Sequence, residues 1–141
     1  MERVDQRRGR GRKERCGVEF EKLSIQEIKG VSEGEQVLKL TGPLTIKTLF
    51  GFREAVQATT APLLILDLTD TPYVDSAGLG VLVNAHVSCV SRGRGLALVG
   101  VADRVQSLFT STNVHKVLAL FPTLQEAHEA ATRGRFFRRA V

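Results

Sequence analysis

The chain has 141 residues, of which 43% are hydrophobic, and a net charge of +5. This length fits one domain with a hydrophobic core. No apolar run approaches the roughly 18 residues that are needed to cross a bilayer. The basic N-terminus is not followed by the apolar stretch that a secretory signal has. From these two absences we expect a cytoplasmic protein. Because Cys16 and Cys89 lack the number and spacing of a disulfide framework or a zinc site, we expect reduced thiols and no metal, and we expect no cofactor.

The positive charge lies mainly at the two ends of the chain. Residues 1–17 and 133–141 hold 11 of the 20 Lys and Arg residues and three of the 15 acidic residues, so the ends carry +8 and the remainder −3. We predict a disordered basic tail at 1–17, a folded domain at 18–132 and a second basic tail at 133–141. A basic arm allows weak contact with nucleic acid, but a mildly acidic body makes a nucleic-acid-binding fold the poorer interpretation.

The first predicted elements are a hairpin and a helix. Residues 23–28 and 37–41 have the pattern of two strands, joined by a turn at 31–35. Gly42-Pro43 ends the second strand, and Thr45 is a candidate helix cap. The helix that follows is predicted to turn one broad apolar face inward, formed by Ile46, Leu49, Phe50, Phe52 and Val56.

The rest of the chain alternates between strands and helices. The apolar run at 63–68 predicts a central strand buried on both faces, and a helix is predicted to start at Ser76. A strand at 96–101, a helix at 102–112, a strand at 117–121 and a helix after Pro122-Thr123 complete the order. This alternation predicts an α/β fold with a mostly parallel five-stranded sheet, four helices and an antiparallel N-terminal hairpin strand.

The most informative segment is the loop that delivers Ser76 to the start of a helix. The first turn of a helix leaves backbone N–H groups unpaired, so the simplest interpretation is that Ser76 caps the helix. A second interpretation is that Ser76 is a modification site, because Gly78 and Gly80 lack side chains that would crowd an approaching surface.

Three further side chains near this loop are candidates for a supporting role. Asp67 interrupts an apolar strand, and since a buried carboxylate needs donors, we expect it to accept hydrogen bonds from the loop before Ser76. Asp75 is expected to orient Ser76. Tyr73 and Leu79 fit either the apolar part of a docking surface or simple core packing.

These residues carry a resemblance to a known family. With Asp75-Ser76-Ala77-Gly78-Leu79-Gly80 after a strand ending in Leu66-Asp67-Leu68, and Leu96-Ala97-Leu98-Val99-Gly100-Val101 one helix later, the chain resembles the STAS family over about residues 20–132. The resemblance implies a single-domain STAS fold of the stand-alone bacterial type, the anti-sigma factor antagonists.

The resemblance also implies a function. In antagonists of this family, the serine after the aspartate, Ser76 by position, is phosphorylated by an anti-sigma factor that is also a serine kinase. The unphosphorylated form binds that factor and frees a sigma factor, and a phosphatase resets the cycle. We therefore expect a non-catalytic switch whose partner-binding residues are Thr45, Tyr73, Asp75, Ser76, Ala77, Gly78 and Leu79, with Thr45 at a position where antagonists usually have aspartate.

Two other classes of function are alternatives. One keeps the fold and makes the chain a scaffold or accessory subunit of a stress-sensing or lipid-transport complex without phosphorylation. The other is an enzyme, but the sequence lacks Gly-x-Gly-x-x-Gly, Gly-x-x-x-x-Gly-Lys-Ser/Thr and, around Ser76, Gly-x-Ser-x-Gly.

Overall fold

The computed structural model describes residues 22–30 and 34–132 of the protein. The predicted tails at 1–17 and 133–141 lie outside these residues. Within the described part of the chain, no helix has both the length and the apolar character needed to cross a membrane. In chain order the elements are β1 (Ser24–Lys29), β2 (Glu35–Thr41), α1 (Leu49–Ala58), β3 (Leu63–Asp70), α2 (Ser76–Ser91), β4 (Gly95–Val99), α3 (Asp103–Ser111), a 3-10 turn (Val114–Lys116), β5 (Ala119–Phe121) and α4 (Leu124–Thr132).

The five strands form one sheet in the order β1-β2-β3-β4-β5. β1 pairs antiparallel with β2, and the other three pairings are parallel. Ile65 of β3 lies between Val37 of β2 and Ala97 of β4, which fixes the central register. The predicted α/β class, strand number and antiparallel first strand are therefore confirmed.

Helices cover both faces of the sheet. Successive residues of a strand point to opposite faces, so the run at 63–68 feeds two apolar clusters. α1, α2 and α3 pack over the face that includes Leu64, Leu66 and Leu68. α4 packs over the opposite face through Ala127 and Ala130. Both sides of β3 are consequently buried, as its continuous apolar sequence predicts.

Several element ends differ from the prediction. α1 begins at Leu49, because residues 45–48 form a turn in which the Thr45 carbonyl accepts the Thr48 N–H at 3.0 Å and the Thr48 hydroxyl oxygen accepts the Thr45 N–H at 2.9 Å. β4 stops at Val99, two residues early, since Gly100 has φ +67°, and a Cβ there would lie 2.2 Å from the Thr69 hydroxyl oxygen. The close approach of β3 to this turn requires a glycine.

Candidate functional site

Ser76 is the first residue of α2 and is exposed to solvent. The residue before it, Asp75, has extended backbone angles and caps the helix: its Oδ1 accepts the Gly78 N–H at 2.8 Å. Of the two interpretations of Ser76, the one that makes it the helix cap is therefore wrong by one residue. Within the described part of the chain, the Ser76 hydroxyl makes no hydrogen bond, and the residue is exposed at the surface.

Asp75 also links the start of α2, through hydrogen bonds, to the segment that precedes α1. Its Oδ2 accepts the Ile46 N–H at 3.1 Å, and its own N–H donates to the Leu44 carbonyl at 3.2 Å. Leu44 in turn donates its N–H to the Tyr73 carbonyl at 3.0 Å. One carboxylate therefore holds two chain segments together beside Ser76, in place of the predicted role of orienting the serine.

Gly78 serves the same junction. It is buried, and a Cβ at this position would lie 2.2 Å from the Leu44 carbonyl oxygen. The missing side chain therefore makes room for the backbone at Leu44. The prediction that Gly78 leaves space for an approaching partner is wrong, whereas Gly80 is exposed and has open space around it.

Three large apolar side chains are exposed in the two chain segments that Asp75 joins, which are the loop before Ser76 and the start of α1. Ile46, whose N–H contacts Asp75, is 59% exposed, Phe50 is 66% exposed and Tyr73 is 46% exposed. We call Ile46, Phe50, Tyr73 and Ser76 the docking surface. Because large contiguous apolar patches on a folded domain mark interaction sites, these side chains are candidates for contact with a partner. Arg53 extends this surface, with its guanidinium 6.0 Å from the centre of the Phe50 ring.

The sequence pattern missed Ile46 and Phe50, which were predicted to face inward. In the structure Leu49, Phe52 and Val56 are the buried residues of α1. Ile46, in the turn before α1, and Phe50, in the first turn of α1, are exposed instead. The width of the predicted apolar face could have revealed this error. A helix packed on a sheet buries a stripe about 100° wide, whereas the five predicted residues include sequence neighbours and span a wider face.

The remaining predicted partner-binding residues are less accessible. Thr45 is only 5% exposed, and its hydroxyl oxygen accepts the Lys47 N–H at 3.2 Å, so this side chain offers almost no surface for a partner. Ala77 and Leu79 are half-buried and pack against the core.

Asp67 has a different role from the one predicted. Its Oδ1 accepts hydrogen bonds from the Thr69 N–H at 3.0 Å and from the Thr69 hydroxyl at 2.6 Å. It is half-buried, and its hydrogen bonds stabilise the end of β3 rather than the loop at 71–75. The expectation that Asp67 accepts hydrogen bonds from that loop is therefore wrong, because its donors belong to Thr69.

Residues 22–30 and 34–132 contain no group of three or more His, Cys, Asp or Glu side chains placed to hold a metal. Cys89 of α2 is buried, and burial raises the pKa of its thiol, an effect that Arg94 and Arg92 partly oppose. A buried thiol with a raised pKa is a poor nucleophile.

Comparison with known proteins adds to this geometry. A family model described as the STAS domain matches residues 22–127. The anti-sigma-B factor antagonist of Listeria monocytogenes is 37% identical over 67 residues, which are 48% of this chain and 59% of that protein. The matched segments of the first curated relatives span 58–62% of those relatives' length.

Solved structures share the fold. A Thermotoga maritima crystal structure has a TM-score of 0.71 and 27% identity, covering 77% of this chain and 95% of its own. An anti-sigma factor antagonist from Mycobacterium paratuberculosis has a TM-score of 0.70 and 21% identity, covering 78% of this chain and 94% of its own.

Proposed function

This chain belongs to the STAS domain family, and we propose that it acts as a non-catalytic protein-interaction switch, an anti-sigma factor antagonist. It binds an anti-sigma factor while Ser76 is unphosphorylated and releases it once Ser76 is phosphorylated, which regulates transcription through a sigma factor. One observation carries the proposal: Ser76 is exposed and does not cap its helix, and the other residues of the docking surface are exposed apolar side chains.

A phosphate on Ser76 leaves the fold intact in this account. Among residues 22–30 and 34–132 the hydroxyl has no hydrogen bond that phosphorylation would break, and Asp75 supplies the helix cap. A phosphate adds about −1.5 to −2 charges, and the positive end of the α2 dipole partly accommodates a negative group there. The neighbouring Asp75 carboxylate opposes it, so the net effect on stability is small.

The effect on a bound partner is larger. A partner that covers Ile46, Phe50 and Tyr73 removes water from the Ser76 oxygen, and a dianion in that place must lose its hydration or face apolar groups. Each ~1.4 kcal/mol of such a penalty weakens binding tenfold. Phosphorylation therefore acts on association rather than on folding.

The proposed partners follow from this switch. The anti-sigma factor is a serine kinase whose active site reaches the exposed hydroxyl, and a separate phosphatase removes the phosphate. Tyr73 and the junction held by Asp75 lie at the edge of the contact.

A binding titration of the full chain against its anti-sigma factor tests the proposal. We expect Ser76→Ala to bind as the unmodified chain does and Ser76→Asp to bind at least about tenfold more weakly. Ser91→Asp is the matched control, since Ser91 is exposed at the other end of the same helix, and we expect it to bind normally. Equal affinity of Ser76→Asp and Ser76→Ala contradicts the switch and favours a scaffold or accessory subunit.

A further inference from the structure

β1 is the antiparallel edge strand of the sheet, and it lies largely uncovered. Five of its six residues are exposed, including Ile28, which is 36% exposed although it pairs with the buried Val37. An exposed edge strand that carries an apolar residue is a template for another strand.

The backbone groups that face outward can be assigned from the pairing with β2. The Gly30 N–H donates to the Glu35 carbonyl at 3.3 Å, which marks the Gly30–Glu35 pair as hydrogen-bonded. Antiparallel pairs alternate between hydrogen-bonded and non-hydrogen-bonded, so Ile28 also points its backbone groups toward β2. The N–H and C=O groups of Glu27 and Lys29 consequently point to the open edge.

The charges on this edge favour one register between two copies of the chain. With a two-fold axis through Ile28, Glu27 of each copy lies opposite Lys29 of the other, and the two Ile28 side chains meet at a non-hydrogen-bonded position, where side chains are closest. An axis through Glu27 places two like charges opposite each other. An axis through Gln26 leaves Glu27 opposite Ile25.

From this complementarity we propose that β1 is a self-association edge, on which a second copy of the chain pairs antiparallel over residues 26–30. The contact is isologous, and it extends the five-stranded sheet of each copy into one continuous sheet. The Glu27 and Lys29 N–H groups each donate to the carbonyl of the opposite residue in the other copy.

The contact is small and is separate from the docking surface. A standard interface has about 20–30 residues a side, whereas this contact pairs five, so we expect a dissociation constant of about 0.1–1 mM. Ile28 pairs with Val37 near the amino end of β2, while Ser76 follows the carboxyl end of β3. Each copy in the dimer therefore keeps its Ser76 accessible, and the proposal stands or falls independently of the proposed function.

A concentration series by NMR of the full chain tests the proposal. Amide signals of residues 26–30 are expected to shift as the concentration rises to about 1 mM, in step with the expected dissociation constant. Glu27→Lys puts like charges opposite each other and should weaken association about tenfold. Glu27→Lys with Lys29→Glu reverses both pairs and should restore it.

Glu54→Lys is the control for net charge, because Glu54 is exposed on α1, and its series should match that of the natural chain. The dispersion of each spectrum reports whether the variant is folded. Shifts that are absent, that map to other residues, that survive Glu27→Lys or that fail to return in the double variant would overturn the proposal.

Discussion

At the scale of single residues, the helix cap lies one position before Ser76, at Asp75, and this leaves the serine side chain without a capping role. Asp and Ser are equally good helix caps, so the Asp75-Ser76 pair alone could not say which of them caps α2. The contact of Asp75 with Ile46, 29 residues away in sequence, decides it, and local sequence contains no signal for that contact. The sequence therefore identifies Asp75 and Ser76 as the important pair but does not show which of them caps the helix.

The two glycines of α2 test the geometry of this junction. Gly78→Ala should destabilise the fold by about 1–3 kcal/mol, because the new Cβ meets the Leu44 carbonyl oxygen, a backbone atom that cannot turn away. Gly80→Ala should be neutral or stabilise by up to ~1 kcal/mol, since Gly80 is exposed within the same helix and alanine has the higher helix propensity. Denaturant unfolding measures both. Equal free energies of unfolding for the two variants would refute the close contact between α2 and Leu44.

At the scale of elements, the order of strands and helices was predictable and their ends were not. The unbroken apolar run predicted β3, and the Asp75-Ser76 pair together with the helical spacing of the apolar residues after it predicted the helix beginning at Ser76. α1 begins at Leu49 rather than at Thr45, because the preceding turn is held by hydrogen bonds among Thr45, Thr48 and Pro43. The later start leaves Ile46 outside the helix, and the docking surface depends on that detail.

Substituting two phenylalanines of α1 distinguishes the exposed side of the helix from its buried side. Phe50→Ala should leave the free energy of unfolding within about 0.5 kcal/mol of the natural value while weakening binding to the anti-sigma factor about tenfold. Phe52→Ala, at a position that is 0% exposed, should destabilise the fold by about 3–5 kcal/mol. Paired unfolding and binding measurements check this contrast. If Phe50→Ala binds as tightly as the natural chain, Phe50 is not part of the docking surface.

At the scale of the whole molecule, the handedness of crossovers explains which face each helix covers. β2, β3, β4 and β5 are neighbours in sequence and in space, so right-handed connections place α1, α2 and α3 on the same face. The opposite face also carries apolar residues, among them Val37, Ile65 and Val99, and α4, which follows β5, covers them. This division follows from the order of the strands, which the sequence pattern alone does not specify.

The sheet thus places its two exposed features at a distance from each other. The docking surface lies where β3 leads into α2, and the open edge of β1 lies beside the amino end of β2. A charge added to Ser76 therefore changes one surface of the molecule without disturbing the other or the core.

Native mass spectrometry of the full chain mixed with its anti-sigma factor, recorded before and after ATP is added, tests the central claim most directly. The account predicts a complex without ATP, then dissociation as the chain gains one phosphate that maps to Ser76. A complex that persists with Ser76 phosphorylated, or a phosphate on another residue at the moment of release, would contradict it.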